Sequence, residues 1–166
     1  DVCSSDLHDW YLNRIAKLMA VRPGISIATD FIVGFPGETE EDFNETMRLI
    51  DEVGFDASFS FVYSKRPGTP AADLPDDTPY EVKLKRLQHL QAVNDARATE
   101  ISKAMLGNIE RCLVTGSAKK GEGMLSARTD NNRVVTFEGG PRLIGQMVNI
   151  EITDVFPHTL GGRLVK

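Results

Sequence analysis

The stretch from Thr29 to Phe43, TDFIVGFPGETEEDF, constrains the fold of this chain more than any other segment. Residues 25–33 form an almost continuous apolar and β-branched run, which is typical of a parallel strand covered on both faces. Gly34 and Gly37 then bracket a proline, and Thr39 stands where the N-cap of a helix belongs. The pattern predicts a strand that turns directly into a capped helix, as in β/α folds, where ligands bind at the carboxyl ends of the strands.

The charges around this turn restrict what it can bind. Four acidic residues surround the predicted helix N-terminus: Glu38, Glu40, Glu41 and Asp42. They satisfy the positive end of the helix dipole and would repel an anion, so a phosphate site is not expected. Two interpretations remain, a well-capped turn without a ligand, or a turn whose backbone approaches an uncharged or cationic ligand.

A second predicted strand, residues 55–64, alternates between bulky and small side chains. Its bulky face carries Ala57, Phe59, Phe61 and Tyr63, and its small polar face carries Ser58, Ser60, Val62 and Ser64. In the first strand, Asp30 and Ile32 lie opposite Phe31 and Val33. We expect the small polar sets to line the lumen of a wide, partly open β/α barrel with a ligand inside, because closed barrels fill the lumen with branched apolar side chains. The alternative is a satisfied serine ladder in a packed core.

The predicted elements divide the chain into two domains. Helical spacing over residues 8–21 and 40–53, a proline-rich loop at 65–79 and a long helix at 80–105 belong to the first domain, 8–105. Five short strands after Gly107 predict a small OB-like β-barrel over 106–166; they are residues 109–115, 124–128, 133–137, 146–153 and 160–165. Residues 1–7 fit neither domain, and we interpret them as a scar or truncation remnant.

Charge distribution favours different partners for the two domains. Residues 1–105 carry eleven Lys/Arg against eighteen Asp/Glu, whereas residues 106–166 carry eight against six. Small OB-like barrels often bind nucleic acid through a charged face and loops. The candidate RNA-binding residues are Lys119, Lys120, Arg128, Asn131, Asn132 and Arg133. Only one aromatic residue, Phe137, lies near them, and the alternative is that they are ordinary solvated charges.

Cysteine usage and hydropathy indicate the compartment. Cys3 and Cys112 lie far apart, without a CxxC motif, so we predict neither a disulfide framework nor a metal site in this chain. No apolar run approaches membrane-spanning length. We therefore expect a cytoplasmic protein without a membrane partner.

Three segments, in order, resemble the C-terminal part of the radical S-adenosylmethionine (SAM) methylthiotransferases: TDFIVGFPGETEEDF, SFSFVYSKRPGTPAADLPDDTP and RTDNNRVVTFEG. The resemblance covers residues 10–166. It implies an α/β fold, with 8–105 as the distal part of a radical-SAM partial β/α (TIM-like) barrel and 106–166 as an OB-like all-β TRAM domain. It also implies a full-length enzyme that uses SAM and two 4Fe-4S clusters to add a 2-methylthio group to N6-dimethylallyladenosine next to the tRNA anticodon.

The resemblance extends to site residues. The turn is similar to the radical-SAM GxIxGxxE strand, which contacts adenine through its backbone, although Asp30 replaces the first glycine and Gly37 takes the acidic position. The expected cofactor-binding residues are Asp30, Ile32, Val33, Gly34, Phe35, Pro36, Gly37 and Glu38. The lumen faces and the following loop give the expected substrate-binding residues: Ser58, Ser60, Tyr63, Arg66 and Thr69.

The chain contains neither a CxxxCxxC motif nor the family's auxiliary-cluster cysteines. We therefore predict no catalytic or metal-binding residue here and no activity of this chain alone. The expected partners are the anticodon stem-loop of tRNA and the missing N-terminal part of the same protein. Two alternatives remain, a methylthiotransferase of the threonylcarbamoyladenosine branch and a non-catalytic RNA-binding protein whose β/α part is only a scaffold.

Overall fold

The computed structural model describes residues 4–119 and 121–165, which form two compact units divided between Ala98 and Thr99. The division falls inside a long helix, earlier than the predicted border after residue 105. Of the predicted remnant 1–7, the first three residues lie outside the described part, and the rest belong to the first helix.

The first unit is built around a β-α-β crossover. Its elements are α1 (Ser4–Val21), β1 (Ala28–Val33), α2 (Glu40–Val53), β2 (Ala57–Val62), a short 3-10 helix (Pro70–Asp73) and the larger part of α3 (Tyr80–Ala104). The two strands are parallel neighbours, and α2 connects them. This order confirms the strand, turn and helix predicted from the opening stretch.

Both ends of α2 are set by its sequence. The Asp42 N–H donates to Thr39 Oγ1 at 3.2 Å, and the Thr39 N–H donates to Asp42 Oδ2 at 2.9 Å, which completes a capping box. At the other end, Gly54 adopts the left-handed conformation, and its N–H donates to the Ile50 carbonyl at 3.1 Å. The helix thereby presents Phe43 and Ile50 to the core.

The core of the first unit lies between the helices and one face of the sheet. Its buried members are Phe31, Val33, Phe43, Ile50, Val53, Phe55 and Leu90. Phe31 and Phe55 meet edge to face, with ring centroids 5.5 Å apart. The covered face of β1 is therefore the predicted one.

Strand register corrects the prediction for β2. The parallel pairing sets Phe31 beside Ser60 and Asp30 beside Phe59, and paired residues of neighbouring strands share a face. Ser58 and Ser60 therefore lie on the helix-covered face with Phe31. The opposite face is open, with Phe59 66% and Phe61 58% exposed.

The lumen assignment of Ser58 and Ser60 was wrong for a physical reason. Alternation within one strand shows which residues share a face, but not which face is covered. The bulky set, which includes Phe59 and Phe61, was expected to face the helices and the small polar set the lumen. In the structure the bulky set lies on the open face instead.

The second unit is a closed five-stranded barrel. Its strands are β3 (Ile109–Ser117), β4 (Met124–Arg128), β5 (Val134–Glu138), β6 (Met147–Val155) and β7 (Leu160–Leu164). Their order around the barrel is β3-β4-β5-β7-β6; β5 and β7 are parallel, and the other pairs are antiparallel. All five predicted strands are confirmed, and closure leaves the sheet without a free edge.

Cys112 belongs to the core of this barrel. It is fully buried among residues such as Val114, Phe137 and Ile150. Burial raises the pKa of its thiol to about 11, so the side chain stays protonated at neutral pH and packs as a small apolar group.

Replacing Thr39 with Ala is expected to lower the free energy of unfolding by about 1 kcal/mol, because the N-cap hydrogen bond is lost. Urea denaturation at neutral pH measures this change. Asn44→Ala is the matched control, since Asn44 is exposed on the same helix; a loss as large for Asn44→Ala would contradict the capping role.

The capping box also predicts a pH dependence. Hydrogen bonds from Thr39 lower the pKa of Asp42 below its ordinary value of 3.8. Ionised Asp42 therefore stabilises the fold above that value, and the stabilisation is lost as pH falls through the lower folded-state pKa. The stability difference between the wild type and Asp42→Asn should accordingly shrink on acidification.

Candidate cofactor turn and RNA-binding surface

The turn after β1 is tightly closed. Gly34 and Gly37 adopt positive φ values of 69° and 88°, and the Glu38 N–H donates to the Phe35 carbonyl at 2.9 Å. The Phe35 ring meets the Tyr63 ring edge to face at 5.0 Å. The turn therefore contacts the residue that follows β2.

Glu38 is committed to the protein itself. Its Oε2 accepts the Gly34 N–H at 3.0 Å, and its Oε1 accepts a hydrogen bond from Arg86 Nη1 at 2.7 Å. Both side chains are largely buried, with 12% of Glu38 and 9% of Arg86 exposed. The carboxylate predicted to contact a cofactor is thus engaged by the turn and by α3.

Arg86 spans two acidic residues. Its Nη2 donates to Glu40 Oε2 at 2.9 Å, and its guanidinium lies over the Phe43 ring at 5.6 Å. Burial by itself lowers the pKa of Arg86, but the hydrogen bonds to Glu40 and Glu38 outweigh it and raise the pKa above its ordinary value. The guanidinium is therefore a fixed positive charge behind the turn.

Lys83 explains why position 34 is glycine. A Cβ built on Gly34 would lie 2.6 Å from Cγ and Cδ of Lys83, which is impossible without a shift. The Lys83 ammonium forms an ion pair with Asp76, at 2.5 and 2.6 Å to the two carboxylate oxygens. The close approach at Gly34 is thus made by a side chain of α3.

The structure divides the predicted cofactor-binding residues among three environments. Asp30, Ile32, Phe35 and Gly37 are exposed, whereas Val33, Gly34 and Pro36 are buried, and Glu38 is paired as described above. Asp30 and Ile32 lie on the open face of the sheet, beside Phe59 and Phe61. This open face, defined by those four residues, carries two of the exposed members of the predicted site, Asp30 and Ile32.

The predicted substrate-binding residues are also separated. Ser58 and Ser60 belong to the helix-covered face, whereas Tyr63 is half-buried beside the turn. Arg66 and Thr69 are exposed, and Thr69 Oγ1 donates to the Arg66 carbonyl at 2.8 Å, which orders the loop. Of the five, only the last three lie in or next to the loop after β2.

Sequence reasoning missed Lys83 and Arg86. The apolar residues Val82 and Leu84 of the long helix are exposed, whereas its buried positions are Lys83, Arg86, Leu90 and Asn94. The signal was present in the spacing, because Lys83 and Arg86 lie in helical phase with Leu90. The burial of Lys83 and Arg86 was not expected, because charged side chains are rarely buried unless they are paired.

The predicted RNA-binding residues lie at opposite ends of the barrel. Lys119 is exposed in the β3–β4 loop, near the start of β4, whereas Arg128 ends β4. Lys120 lies outside the described residues. Among the residues that the structure describes, the candidates therefore lie in two places separated by the length of β4, and not in one patch.

The turn between β4 and β5 is held by its own polar side chains. Arg128 Nη1 donates to the carbonyl of Asn132 at 2.8 Å, and Thr129 Oγ1 donates to Asn131 Oδ1 at 2.5 Å. Arg133 Nε donates to Ser102 Oγ at 2.9 Å. Arg128 and Asn132 remain exposed, whereas Asn131 and Arg133 are half-buried.

The aromatic residues of the barrel differ from expectation. Phe137 is completely buried in the core and offers no stacking surface. Phe156, in the β6–β7 turn, is exposed. Because Val135 of β5 pairs with Leu160 at the start of β7, this turn lies at the same end of the barrel as Arg128.

The donor set of this chain does not fit a 4Fe-4S cluster, which is held by cysteine thiolates. Cys112 is buried in the barrel core, and Cys3 lies outside the described residues. Across residues 4–119 and 121–165, no group of three or more His, Cys, Asp or Glu residues is placed to hold a metal ion. Within the same ranges, no helix has the length and apolar character needed to cross a membrane.

Comparison with known proteins agrees with the barrel topology. The TRAM domain family matches residues 103–165. The second unit is therefore a TRAM domain, and its closed barrel has the strand order described above.

The similarity extends beyond that domain. A tRNA-2-methylthio-N(6)-dimethylallyladenosine synthase of Aromatoleum aromaticum is 61% identical over 151 residues, or 91% of this chain and 34% of the relative. The synthases of the same name from Bordetella petrii and Burkholderia cenocepacia are 58% and 56% identical, over 90% and 93% of this chain and 31% and 35% of their own lengths. The aligned segment is thus similar to these synthases over about nine-tenths of this chain, and the chain spans about a third of their length.

Glycine substitutions distinguish the effect of positive φ, which applies to Gly34 and Gly37, from the effect of the Lys83 contact, which applies to Gly34 alone. Gly37→Ala is expected to cost about 1 kcal/mol of stability, because alanine is strained at positive φ. No steric cost is added, because the space around position 37 is open. Gly34→Ala should cost at least about 1 kcal/mol more, because its Cβ also collides with Lys83. Equal losses in denaturant unfolding would show that the Lys83 contact imposes no constraint.

Proposed function

We propose that this chain is the C-terminal part of a radical-SAM tRNA methylthiotransferase that adds a 2-methylthio group to N6-dimethylallyladenosine next to the anticodon. The observation that carries the proposal is the identity of 56–61% with synthases of that name over nine-tenths of the chain. In this assignment, residues 8–105 form the distal part of the β/α barrel and residues 106–166 bind tRNA in the cytoplasm.

The sheet of the first unit supports an incomplete barrel. Parallel sheets are normally covered on both faces, and two strands alone are too few for a stable sheet. Here only one face is covered, and Phe59 and Phe61 stand on the open one. The relatives are about three times as long as this chain, so the remaining strands would come from the rest of the protein.

The open face suits SAM better than a phosphate. Asp30 supplies a carboxylate for a cationic amino or sulfonium group, and Ile32, Phe59 and Phe61 supply apolar surface for a neutral purine. SAM bound with a cluster supplies a 5′-deoxyadenosyl radical. Residues of this chain would bind and orient the cofactor, and Tyr63, Arg66 and Thr69 would contact the modified nucleoside.

Cluster chemistry would depend on the part of the protein that precedes this segment in the relatives. Cleavage of SAM needs a cluster with an open iron and cysteine ligands, which the two cysteines here do not provide. We propose that this segment alone is inactive and that both 4Fe-4S clusters bind elsewhere in the full-length enzyme.

The TRAM domain would hold the tRNA electrostatically. Lys119 and Arg128 are exposed at the two ends of β4, so a phosphate backbone that follows this strand could meet both. Phe156 adds an exposed ring at the Arg128 end, where a base could stack.

Deletion of the gene for the full-length protein tests the function. Mass spectrometry of tRNA nucleosides should show loss of 2-methylthio-N6-dimethylallyladenosine and accumulation of N6-dimethylallyladenosine, both reversed by the intact gene. Loss of a methylthiolated threonylcarbamoyladenosine would instead assign the other branch. Unchanged nucleosides would leave the non-catalytic alternative.

Salt titrations test the RNA-binding residues in the full-length protein. Lys119→Ala and Arg128→Ala should each weaken tRNA binding and reduce the slope of log K against log salt by about one unit, because each phosphate contact releases a counterion. Arg163→Ala is the control, since its guanidinium is paired with Glu151 at 2.6 Å. Wild-type affinity and slope in both variants would mean that the tRNA is held elsewhere.

A further inference from the structure

Two buried cations stand one helical turn apart on α3. Lys83 and Arg86 are 5% and 8% exposed, although their neighbours Val82 and Leu84 face outward. Burying a charge is costly unless it is paired and hydrogen-bonded. Each of the two is paired with an acidic residue of a different segment, Asp76 in the loop after β2 and Glu38 in the turn after β1.

Arg86 is connected to the turn backbone through one carboxylate. Arg86 Nη1 donates to Glu38 Oε1, and the other oxygen of the same carboxylate accepts the Gly34 N–H. Arg86 Nη1 also donates to the Glu38 carbonyl at 3.2 Å. The guanidinium therefore fixes both the side chain and the backbone of Glu38, while Glu38 fixes Gly34.

Removing Arg86 would leave the Glu38 carboxylate without its buried cationic partner. A largely buried carboxylate without its cation loses most of its electrostatic compensation, and the nearest relief is to turn toward water. The Gly34 N–H would then lose its acceptor. Ile32 and Asp30 on the open face directly precede this turn, so their positions depend on the same bonds.

A second ion pair on the same helix provides a comparison. Arg97 Nη2 pairs with Asp51 Oδ1 at 3.1 Å and joins α3 to α2, away from the turn. It is exposed, with 28% of Arg97 and 67% of Asp51 accessible to water. Exposed pairs contribute little to stability, whereas a buried pair that orients a backbone contributes to geometry.

We propose that Arg86 is a positioning residue for cofactor binding: by holding Glu38, it fixes the turn at Gly34 in the conformation that receives SAM. The inference rests on the proposed function, because it takes the open face beside this turn as the SAM site. The guanidinium of Arg86 is engaged by Glu38 and Glu40 behind the turn. It acts through Glu38, and its effect is pre-organisation of the turn before the ligand arrives.

Calorimetric titration of SAM into the full-length, cluster-loaded protein tests the proposal. Arg86→Gln and Glu38→Gln should each weaken SAM binding roughly tenfold. Arg97→Gln, the matched control, should change it less than about twofold. At saturating SAM, the rate of SAM cleavage by Arg86→Gln should stay near that of the wild type, because the defect lies in binding.

A double variant separates positioning from general destabilisation. Both single changes disrupt the same Arg86–Glu38 pair. Arg86→Gln/Glu38→Gln should therefore bind SAM no more weakly than the weaker-binding single variant, whereas independent effects would multiply. If Arg86→Gln does not fold, Arg86→Lys keeps the charge but cannot span Glu38 and Glu40, and an intermediate loss is expected.

The possible failures are distinguishable. A wild-type protein that does not bind SAM contradicts the proposed function itself. A wild type that binds SAM, together with an Arg86→Gln variant of equal affinity, contradicts only the positioning role. Multiplicative losses in the double variant, or an equal loss in Arg97→Gln, also overturn it.

Discussion

The ion pair between Arg86 and Glu38 joins the candidate cofactor turn to the long helix of the first unit. Glu38 belongs to the turn after β1, Arg86 belongs to α3, and both are largely buried. One turn earlier on the same helix, Lys83 packs over Gly34 and pairs with Asp76. Buried charges tolerate few alternative arrangements. These two cations therefore hold the turn after β1 and the loop after β2 against one face of α3. The geometry of the candidate cofactor turn thus depends on a helix that follows it by about forty residues.

The open face of the two-stranded sheet leaves Phe59 and Phe61 exposed. A β-α-β unit with one bare face exposes aromatic side chains that a complete parallel fold would cover or place against a ligand. The chain covers about a third of the length of the synthases to which it is similar, and in the proposed barrel the bare face would line the lumen. In contrast, the TRAM barrel closes on itself and needs no further strand.

Barrel topology determines how the basic residues of the second unit can act. Antiparallel pairing of β3 with β4 sends the two loops that flank β4 to opposite ends. Lys119 and Arg128 are therefore separated, and an RNA would have to extend along the strand to contact both. Asn131 and Arg133 stabilise their own turn and its contact with the end of α3, so their first role is structural.

The local elements could be predicted from the amino-acid sequence, because the residues that specify each of them are close together in the chain. Thr39, Asp42 and Gly54 set the ends of α2, glycine and proline set the turn after β1, and five alternating segments set the barrel strands. The three motifs also predicted the resemblance to the methylthiotransferases, which the 58% and 61% identity with two of the synthases confirms. The covered face of β2 could not be predicted in this way, because alternation defines two faces and the packing of the helices selects one of them. The tertiary structure also decided that Lys83 and Arg86 are buried, because a charged side chain enters a core only where partners distant in sequence, here Asp76 and Glu38, are brought to meet it.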